Sequence, residues 1–379
     1  MNDNLSLTPA ALHYARATDL AYSAAAESHR YTPVSALLPQ IQSKLAYLTP
    51  TQERPYNYTY EPPDGGPWEN YQHDDRTISI CDARHMAAAS SLDREGFQLW
   101  NAPSEMTDFF DQNTLLRYYY PEVAELACAA TGATRAYVFD HLLRQRETDR
   151  RPLSFGRAAK GTLAGANGRV HNDYTEASGR KRLALVIGEL AAQSQIARYS
   201  IVNVWRSIKV PVLDTPLAVC DARTLDVADL VSAEVRYPRR TGEIYLAHHA
   251  PRHRWYYFSA MDLHEALVFK QYDSQVSGVA RYTPHAAFDH PDAPAGVTPR
   301  VSIEAGCIDT FVAETYKWCI LKPGFTRNAW FRQSPGRSMC LRWPMRSGSR
   351  RVKIKSSAVP CLAGACTRPM ARRCVRRPG

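Results

Sequence analysis

Apolar positions fall at helical spacing in three places along the chain. The first fifty residues open with Ala-rich, weakly amphipathic sequence, and Thr8-Pro9-Ala10 predicts a helix start, with Pro9 where a missing N–H costs nothing. Pro121 to Gly132 reads as a capped helix. Pro121 suits the first turn, Glu122 meets the positive end of the dipole, and Gly132 suits the position just past the end. Ser178 to Arg198 carries Leu183, Val186, Ile187 and Leu190 at helical intervals and predicts a third helix.

Elsewhere the runs are short and β-like. Thr77 to Cys81, Arg135 to His141, Val170 to Thr175 and Ser200 to Ile208 are of this kind. Val235 to Tyr237, Ile244 to His248, Trp255 to Phe258 and Ala266 to Tyr272 continue the pattern. Turn signals such as Pro62-Pro63-Asp64-Gly65-Gly66-Pro67 punctuate them. Short strands with frequent turns predict a sandwich, jelly roll or barrel, and helices packed outside a sheet make the class α+β. The expected division is a helical or mobile segment over 1–50, a main domain over 51–310, and an irregular tail over 311–379.

Composition bears mostly on the tail. The 379 residues are 45% apolar and 10% aromatic, enough to bury a sizeable core. The net charge of +10 misleads, because Leu321 to Gly379 holds fifteen Lys and Arg and no Asp or Glu; removing them leaves −5. A nucleic-acid footprint on the folded part is therefore not expected, and the tail has few interleaved aromatics (Trp330, Phe331, Trp343). Such a tail is expected to be exposed. Four of the nine cysteines (Cys340, Cys361, Cys366, Cys374) lie in it, and the others are scattered singly, which argues against a disulfide framework. No apolar run reaches the roughly 18 residues of a membrane span, and Met1 to Ala10 lacks a basic region before an apolar one. A cytoplasmic protein without membrane contact is expected.

The chemistry centres on His171-Asn172-Asp173. On a strand, residues two apart share a face, so one imidazole and one carboxylate point the same way. With a distant second imidazole they make the facial triad that holds Fe(II) and leaves positions open. By itself the triplet is weak, since His73-Asp74-Asp75 and His290-Pro291-Asp292 have the same form and a surface turn explains any of them. A third ligand must come from a later strand, and Pro284-His285 follows a β-rich stretch at a plausible distance. Arg300, at the start of the run Val301-Ser302-Ile303-Glu304-Ala305, could hold a carboxylate in bidentate fashion from the neighbouring strand. A loop histidine and a solvated strand-end charge are the plainer readings of those two residues.

Other chemistries fit less well. His248-His249 and His253 read as a polar hairpin, because adjacent strand residues face opposite ways. There is no G-x-S-x-G elbow. Gly161 to Gly168 lacks the spacing of a nucleotide loop. Cys361 and Cys366 lack the paired spacing of a structural zinc site.

Several blocks taken together are more specific. They are Asn57-Tyr58-Thr59-Tyr60-Glu61-Pro62-Pro63, Tyr120-Pro121-Glu122-Val123, Val138-Phe139-Asp140-His141 and Val170-His171-Asn172-Asp173. Asn203-Val204-Trp205-Arg206, Asp214-Thr215-Pro216-Leu217-Ala218, His253-Arg254-Trp255-Tyr256-Tyr257 and Lys270-Gln271-Tyr272-Asp273-Ser274 follow. Pro284-His285-Ala286-Ala287-Phe288 and Pro299-Arg300-Val301-Ser302-Ile303-Glu304 complete them. In this order, from about residue 50 to 305, the chain resembles the fungal asaB-type hydroxylase/desaturase family, whose relatives include gibberellin desaturase-like and cephem methoxylation proteins.

The resemblance implies a double-stranded β-helix (jelly-roll) core and an oxygenase of secondary metabolism that uses Fe(II) and 2-oxoglutarate. It carries the ligand role onto His171, Asp173 and His285. It makes Arg300 the first choice for the co-substrate carboxylate, with Arg206 and Arg281 as alternates, and puts Asn203 and Trp205 near the pocket. The implied substrate is a small polyketide, terpenoid or peptide scaffold, to be hydroxylated or desaturated. A methyltransferase-like tailoring enzyme and a non-catalytic jelly-roll accessory protein are the rival readings. Two departures stand out. Ala305-Gly306 replaces the relatives' usual Val-Arg, which puts the last core strand in question. The basic tail is either a genuine extension or the product of an altered reading frame or a retained intron.

Overall fold

The computed structural model describes residues 14–16, 38–158, 161–188 and 196–312. Its strands, in chain order, are β1 (Tyr14–Arg16), β2 (Gln40–Leu48), β3 (Tyr56–Tyr58), β4 (His73–Asp82), β5 (Phe97–Asn101), β6 (Arg135–Gln145), β7 (His171–Asn172) and β8 (Ile196–Ser207). They continue with β9 (Leu217–Cys220), β10 (Leu230–Tyr237), β11 (Arg240–Ala247), β12 (Trp255–Tyr257), β13 (Glu265–Asp273), β14 (His285–Ala287) and β15 (Val301–Val312). One sheet runs β1-β6-β15-β8-β13-β5 and the other β2-β4-β12-β9-β14-β7-β11-β10-β3.

The inner faces of the sheets pack on each other. Phe97, Leu99, Trp205, Leu267 and Phe269 of the first sheet share a buried cluster with Val219 and Tyr256 of the second. The second sheet also curls, for Ala46 of β2 bridges Arg169 just before β7. The resulting fold encloses Leu45, Tyr47, Ile80, Ala218, Trp255 and Phe288. This is the jelly roll that the short, turn-punctuated strands foreshadow.

A helix covers the outer face of the first sheet. Val202, Val204, Val268, Ile303 and Ala305 meet Leu115, Tyr119, Val123, Leu126 and Ala127 there. Burying each of the larger side chains contributes about 1.5–3 kcal/mol. The helix Tyr120–Thr131 ends as expected on Gly132, whose φ of 71° is free only to glycine and whose N–H reaches the Cys128 carbonyl. It does not begin at Pro121, however. A wide π turn over Leu115–Tyr119 precedes it. That turn accommodates the proline's ring and missing N–H.

Three expectations are corrected. Gln40–Leu48, read as part of a helical first fifty residues, is a strand whose Ile41, Ser43, Leu45 and Tyr47 alternate inward. Thr8-Pro9-Ala10 lies outside the described residues. The helix expected over Ser178 to Arg198 is Glu176–Ile187, opened by a Thr175–Ser178 capping box and closed by Gly188 at φ 45°. Arg198 belongs instead to β8, where β-branched and aromatic residues fit the pleat. Third, the last strand is intact despite Ala305-Gly306. β15 is a central twelve-residue strand, with a bulge at Gly306/Cys307. A side chain at Gly306 would strike Phe139, its Cβ falling 2.6 Å from Phe139 Cζ. β15 extends to Val312, and the tail beyond it lies outside the described residues.

Candidate metal centre

His171 and His285 stand directly opposite each other on β7 and β14, neighbours near the middle of the curled sheet. Their rings lie 4.2 Å apart. Asp173 follows just past the end of β7, and its carboxylate closes the group. Oδ1 is 3.5 Å from His171 Nε2 and Oδ2 is 4.0 Å from His285 Nε2. Nitrogen and oxygen donors of the three residues all lie within 4.8 Å of one another. Among the described residues no other group of three His, Cys, Asp or Glu converges in this way.

The strand is shorter than the expected Val170 to Thr175, so alternation alone does not aim Asp173. Asn172 does, from between the two ligand candidates. It is fully buried. Its amide donates to the carbonyls of Tyr174 and Gln271, 2.8 Å each, and its oxygen accepts from the Thr283 N–H at 3.1 Å. Gln271 Oε1 then accepts the Asp173 N–H at 2.8 Å. The same braces tie β7 to the segment that leads into His285.

Hydrogen bonds also set the imidazole tautomers. His171 Nδ1 donates to the Arg169 carbonyl at 2.7 Å, and His285 Nδ1 donates to the Thr283 carbonyl at 3.2 Å. Each Nε2 lone pair is thereby left facing Asp173. Asn167 Nδ2 stands 3.2 Å from His171 Nε2. Burial holds both imidazoles below their ordinary pKa, and the neighbouring His171 helps push His285 down to about 3. Burial pushes the Asp173 carboxyl up, but His285, His171 and the Asn203 amide outweigh it and keep the group below the usual carboxylate range. At neutral pH the set is two neutral nitrogens and one carboxylate, the donor charge that divalent iron favours.

The first sheet supplies the facing wall. Residues paired across a ladder share a face, so Asn203, Gly306 and Asp140 form one row and Trp205, Glu304 and Leu142 the next. Ser207, Ser302 and Arg144 form a third row. Phe269, opposite Asn203, touches the His285 ring with centroids 4.8 Å apart, which places this face over the triad. Asn203 Nδ2 donates to Asp173 Oδ2 at 2.7 Å. The Asp173 side chain keeps 29% of its surface accessible, so the space between the walls is a cavity and not a packed core.

The three arginines named from sequence part company here. Arg300 is buried, stacks on Trp205 at 5.3 Å, and donates from Nη1 to the Thr215 carbonyl. Its Nε has no partner. Burial brings it down to about 10, against the pull of Asp214, so it remains a cation. Arg206 is one residue out of phase with Trp205 and lies on the outer face over Tyr119, at 5.6 Å. Arg281 pairs with Glu176 and donates to the Asp273 carbonyl. Neither alternate reaches the cavity. Arg144, not singled out in the sequence, does. It donates to the Gly165 carbonyl at 2.8 Å, and its charge is felt by His171, Asp173, His285 and Glu304. Only the alternation along β6, with the register to β15, could have found it.

The competing triplets lie in a loop and at the start of an interior strand. His290 Nδ1 accepts the Asp292 N–H inside its own loop, and His73 begins β4 away from the triad. His253 is part of a closed chain. Trp255 Nε1 donates to Tyr47 Oη at 2.7 Å, which leaves the hydroxyl to donate to His253 Nδ1, and His253 Nε2 meets Asp229 at 3.0 Å. That chain is structural, but the segment is not the expected hairpin, because it joins β11 to β12 and these strands are not neighbours in the sheet.

Two imidazoles and a carboxylate converging inside a jelly roll define a class, the non-haem iron oxygenases that use 2-oxoglutarate. A family model described as "Oxidoreductase/YMDC permease-like domain" matches residues 45–309. Hydroxylase/desaturase efuI of Hormonema carpetanum is 31% identical over 289 residues, 69% of this chain and 96% of that protein. Hydroxylase/desaturase CTB9 of Cercospora beticola is 32% identical over 284 residues, 67% of this chain and 87% of that protein. The solved iron and alpha-ketoglutarate-dependent endoperoxidase NvfI superposes with a TM-score of 0.62 at 26% identity, covering 72% of this chain and 99% of that one. The chain belongs to this hydroxylase/desaturase family and is an Fe(II)/2-oxoglutarate-dependent oxygenase. Among the described residues no helix is long and apolar enough to cross a membrane.

Proposed function

We propose that His171, Asp173 and His285 hold Fe(II) and that Arg300 holds the remote carboxylate of 2-oxoglutarate, for hydroxylation or desaturation of a secondary-metabolite intermediate. The observation that carries the reading is the aim of the donors. Two buried neutral imidazoles, each with Nδ1 tied to a carbonyl, turn Nε2 toward one carboxylate that Asn203 orients. That donor set fits a divalent iron with open positions.

When bound, iron and 2-oxoglutarate would supply the oxidising chemistry with O₂ as the oxidant, decarboxylation to succinate and CO₂ being coupled to removal of hydrogen from an unactivated C–H. The chain's share is binding and orientation. Arg300 presents a planar fork from the inner face, with an unpartnered Nε, where a carboxylate can take two parallel hydrogen bonds. Trp205, Leu267 and Phe269 keep that wall apolar and exclude water. Asn203 holds the Asp173 oxygen so that it stays aimed.

The test is anaerobic Fe(II) titration followed by succinate formation from 2-oxoglutarate with candidate polyketide, terpenoid and peptide intermediates. One Fe(II) per chain and substrate-stimulated succinate are expected. A parent protein that binds no iron overturns the reading. The relatives include a hydroxylase/desaturase and an endoperoxidase, so product analysis decides between outcomes of the same centre.

A further inference from the structure

Arg300 stacks on Trp205, one row from Asn203 on the side of Ser302 and Ser207. Away from that end, Asp140 ends the row of Asn203 and Gly306, about 10 Å from Asn203 across two strand spacings. Asp140 is exposed and accepts the His141 N–H at 2.8 Å. Surrounding protein raises the pKa of its carboxyl, and the charges of Arg182 and Arg240 oppose that rise, so both guanidiniums lie on its side of the cavity. Arg182 comes from the helix Glu176–Ile187 and Arg240 from the turn between β10 and β11. Each is held by aromatic rings. Arg182 donates from Nε to Tyr174 Oη at 3.1 Å and lies over the Phe139 ring at 4.6 Å. Arg240 lies over the Tyr237 ring at 3.8 Å, and Gly242 leaves room for the stack, since a Cβ there would fall 3.3 Å from Tyr237 Cε2. Neither guanidinium forms an ion pair with a described residue. Arg169, Arg198 and Arg281, by contrast, are each met by a carboxylate.

We propose that Arg182 and Arg240 recognise a carboxylate of the organic substrate, whose ring system lies along Tyr174 and Tyr237 toward the metal centre. The inference rests on the oxygenase reading, which makes the cavity beside Asp173 the substrate's place. Charge is the first reason. Two guanidiniums face the single carboxylate of Asp140, so a second carboxylate, brought by the ligand, balances the set. Orientation is the second. A guanidinium stacked on a ring keeps its planar fork in place with N–H groups free for two parallel hydrogen bonds. Position is the third. Tyr174 directly follows the ligand candidate Asp173, and Tyr174 and Tyr237 are half-buried, so ring surface is open between the two arginines and the triad. Arg300 is left to the co-substrate at the other end. The substrate on this account is a planar or aromatic acid, held at its carboxylate and oxidised at a carbon away from it.

The experiment uses the full chain, loaded anaerobically with Fe(II) and 2-oxoglutarate so that Arg300 is occupied. Parent, Arg182→Gln, Arg240→Gln and Lys181→Gln proteins are titrated by calorimetry with 2-naphthoate and with its methyl ester. Lys181 is exposed on the same helix and controls for loss of one positive charge. The parent should bind the acid more tightly than the ester. That preference should fall about three- to tenfold in each arginine variant, the worth of a charge-assisted bond at a half-exposed site, and persist in Lys181→Gln. Arg240 lies in an exposed turn, so its variant gives the answer if Arg182→Gln fails to fold. A parent that binds neither probe, or binds the acid no better than the ester, overturns the proposal. So does a preference unchanged in both arginine variants, or an equal loss in Lys181→Gln. Weaker binding of the acid as 2-oxoglutarate is raised would give the probe to Arg300 and overturns it too. Iron content of the same preparations keeps the two readings apart. A protein that holds iron without preferring the acid refutes this inference alone, and one that holds no iron refutes the reading beneath it.

Discussion

Replacing Asn203 with leucine removes one hydrogen bond and almost no volume, so the change isolates how the carboxylate ligand is aimed. Asn203 is buried in β8, and its Nδ2 donates to Asp173 Oδ2 at 2.7 Å. Such a charge-assisted bond contributes about 1.5–3 kcal/mol. Without it the Asp173 carboxyl has two imidazoles on one side and an apolar group on the other, and it can rotate away from the shared focus. Loss of a partner of this kind typically costs about 10- to 100-fold in metal affinity, or about 1.4–2.8 kcal/mol. The Asp173 carboxyl is also expected to rise toward its ordinary value, because one of the groups holding it down is gone. Protons then compete better with the metal, and the affinity gap between parent and Asn203→Leu should widen as pH falls from 7 toward 5. The assay is anaerobic Fe(II) titration at several pH values, with circular dichroism to confirm the fold. An Fe(II) Kd equal to the parent's at every pH would refute the idea that Asn203 orients the ligand.

Other expectations follow from the same geometry. His171→Ala or Asp173→Ala should lose Fe(II) and succinate formation, because two ligands hold the ion poorly, whereas His73→Ala and His290→Ala should keep their iron; metal analysis of the four proteins checks it. Arg300→Lys keeps the charge and loses the planar fork, so KM for 2-oxoglutarate should rise about tenfold or more with less change for the organic substrate. An unchanged KM would pass the role to Arg144, the other cation of the cavity. The metal-free protein should be acid-labile. His171 and His285 have folded pKa values below the unfolded value of about 6.5, so their contribution is whole above that pH and is lost as pH falls toward 3. The slope reaches at most ~1.4 kcal/mol per pH unit for each histidine. Melting curves of the metal-free protein between pH 7 and 4 should show the loss, and His285→Gln should flatten it.

Much of this protein is local enough to read along the chain. The helix Tyr120–Thr131 is specified by Pro121, Glu122 and Gly132, whose preferences are backbone properties that need no partner. The short alternating runs announce strands between turns, and most appear within a few residues of the expected bounds. His171, Asp173 and His285 can be named as a set because ligand chemistry limits the residue types and the family resemblance limits the positions. What decides among identical triplets is not local. His73-Asp74-Asp75 and His171-Asn172-Asp173 look alike in one dimension, and only the pairing of β7 with β14 brings a second imidazole to one of them. Register is likewise a tertiary property, since a shift of one residue turns every side chain to the other face. That parity sends Arg206 out to Tyr119 and turns Arg144, Asn203 and Glu304 inward. Gln40–Leu48 shows the same limit, because its weak pattern becomes a strand only when β4 pairs with it and Leu45 and Tyr47 are buried by distant segments. Sequence alone determined which side chains could hold a metal and where chain-local caps end a helix. The sheet pairing decided which of those side chains face one another, because facing residues in a jelly roll are brought together by hydrogen bonds between strands far apart in the chain.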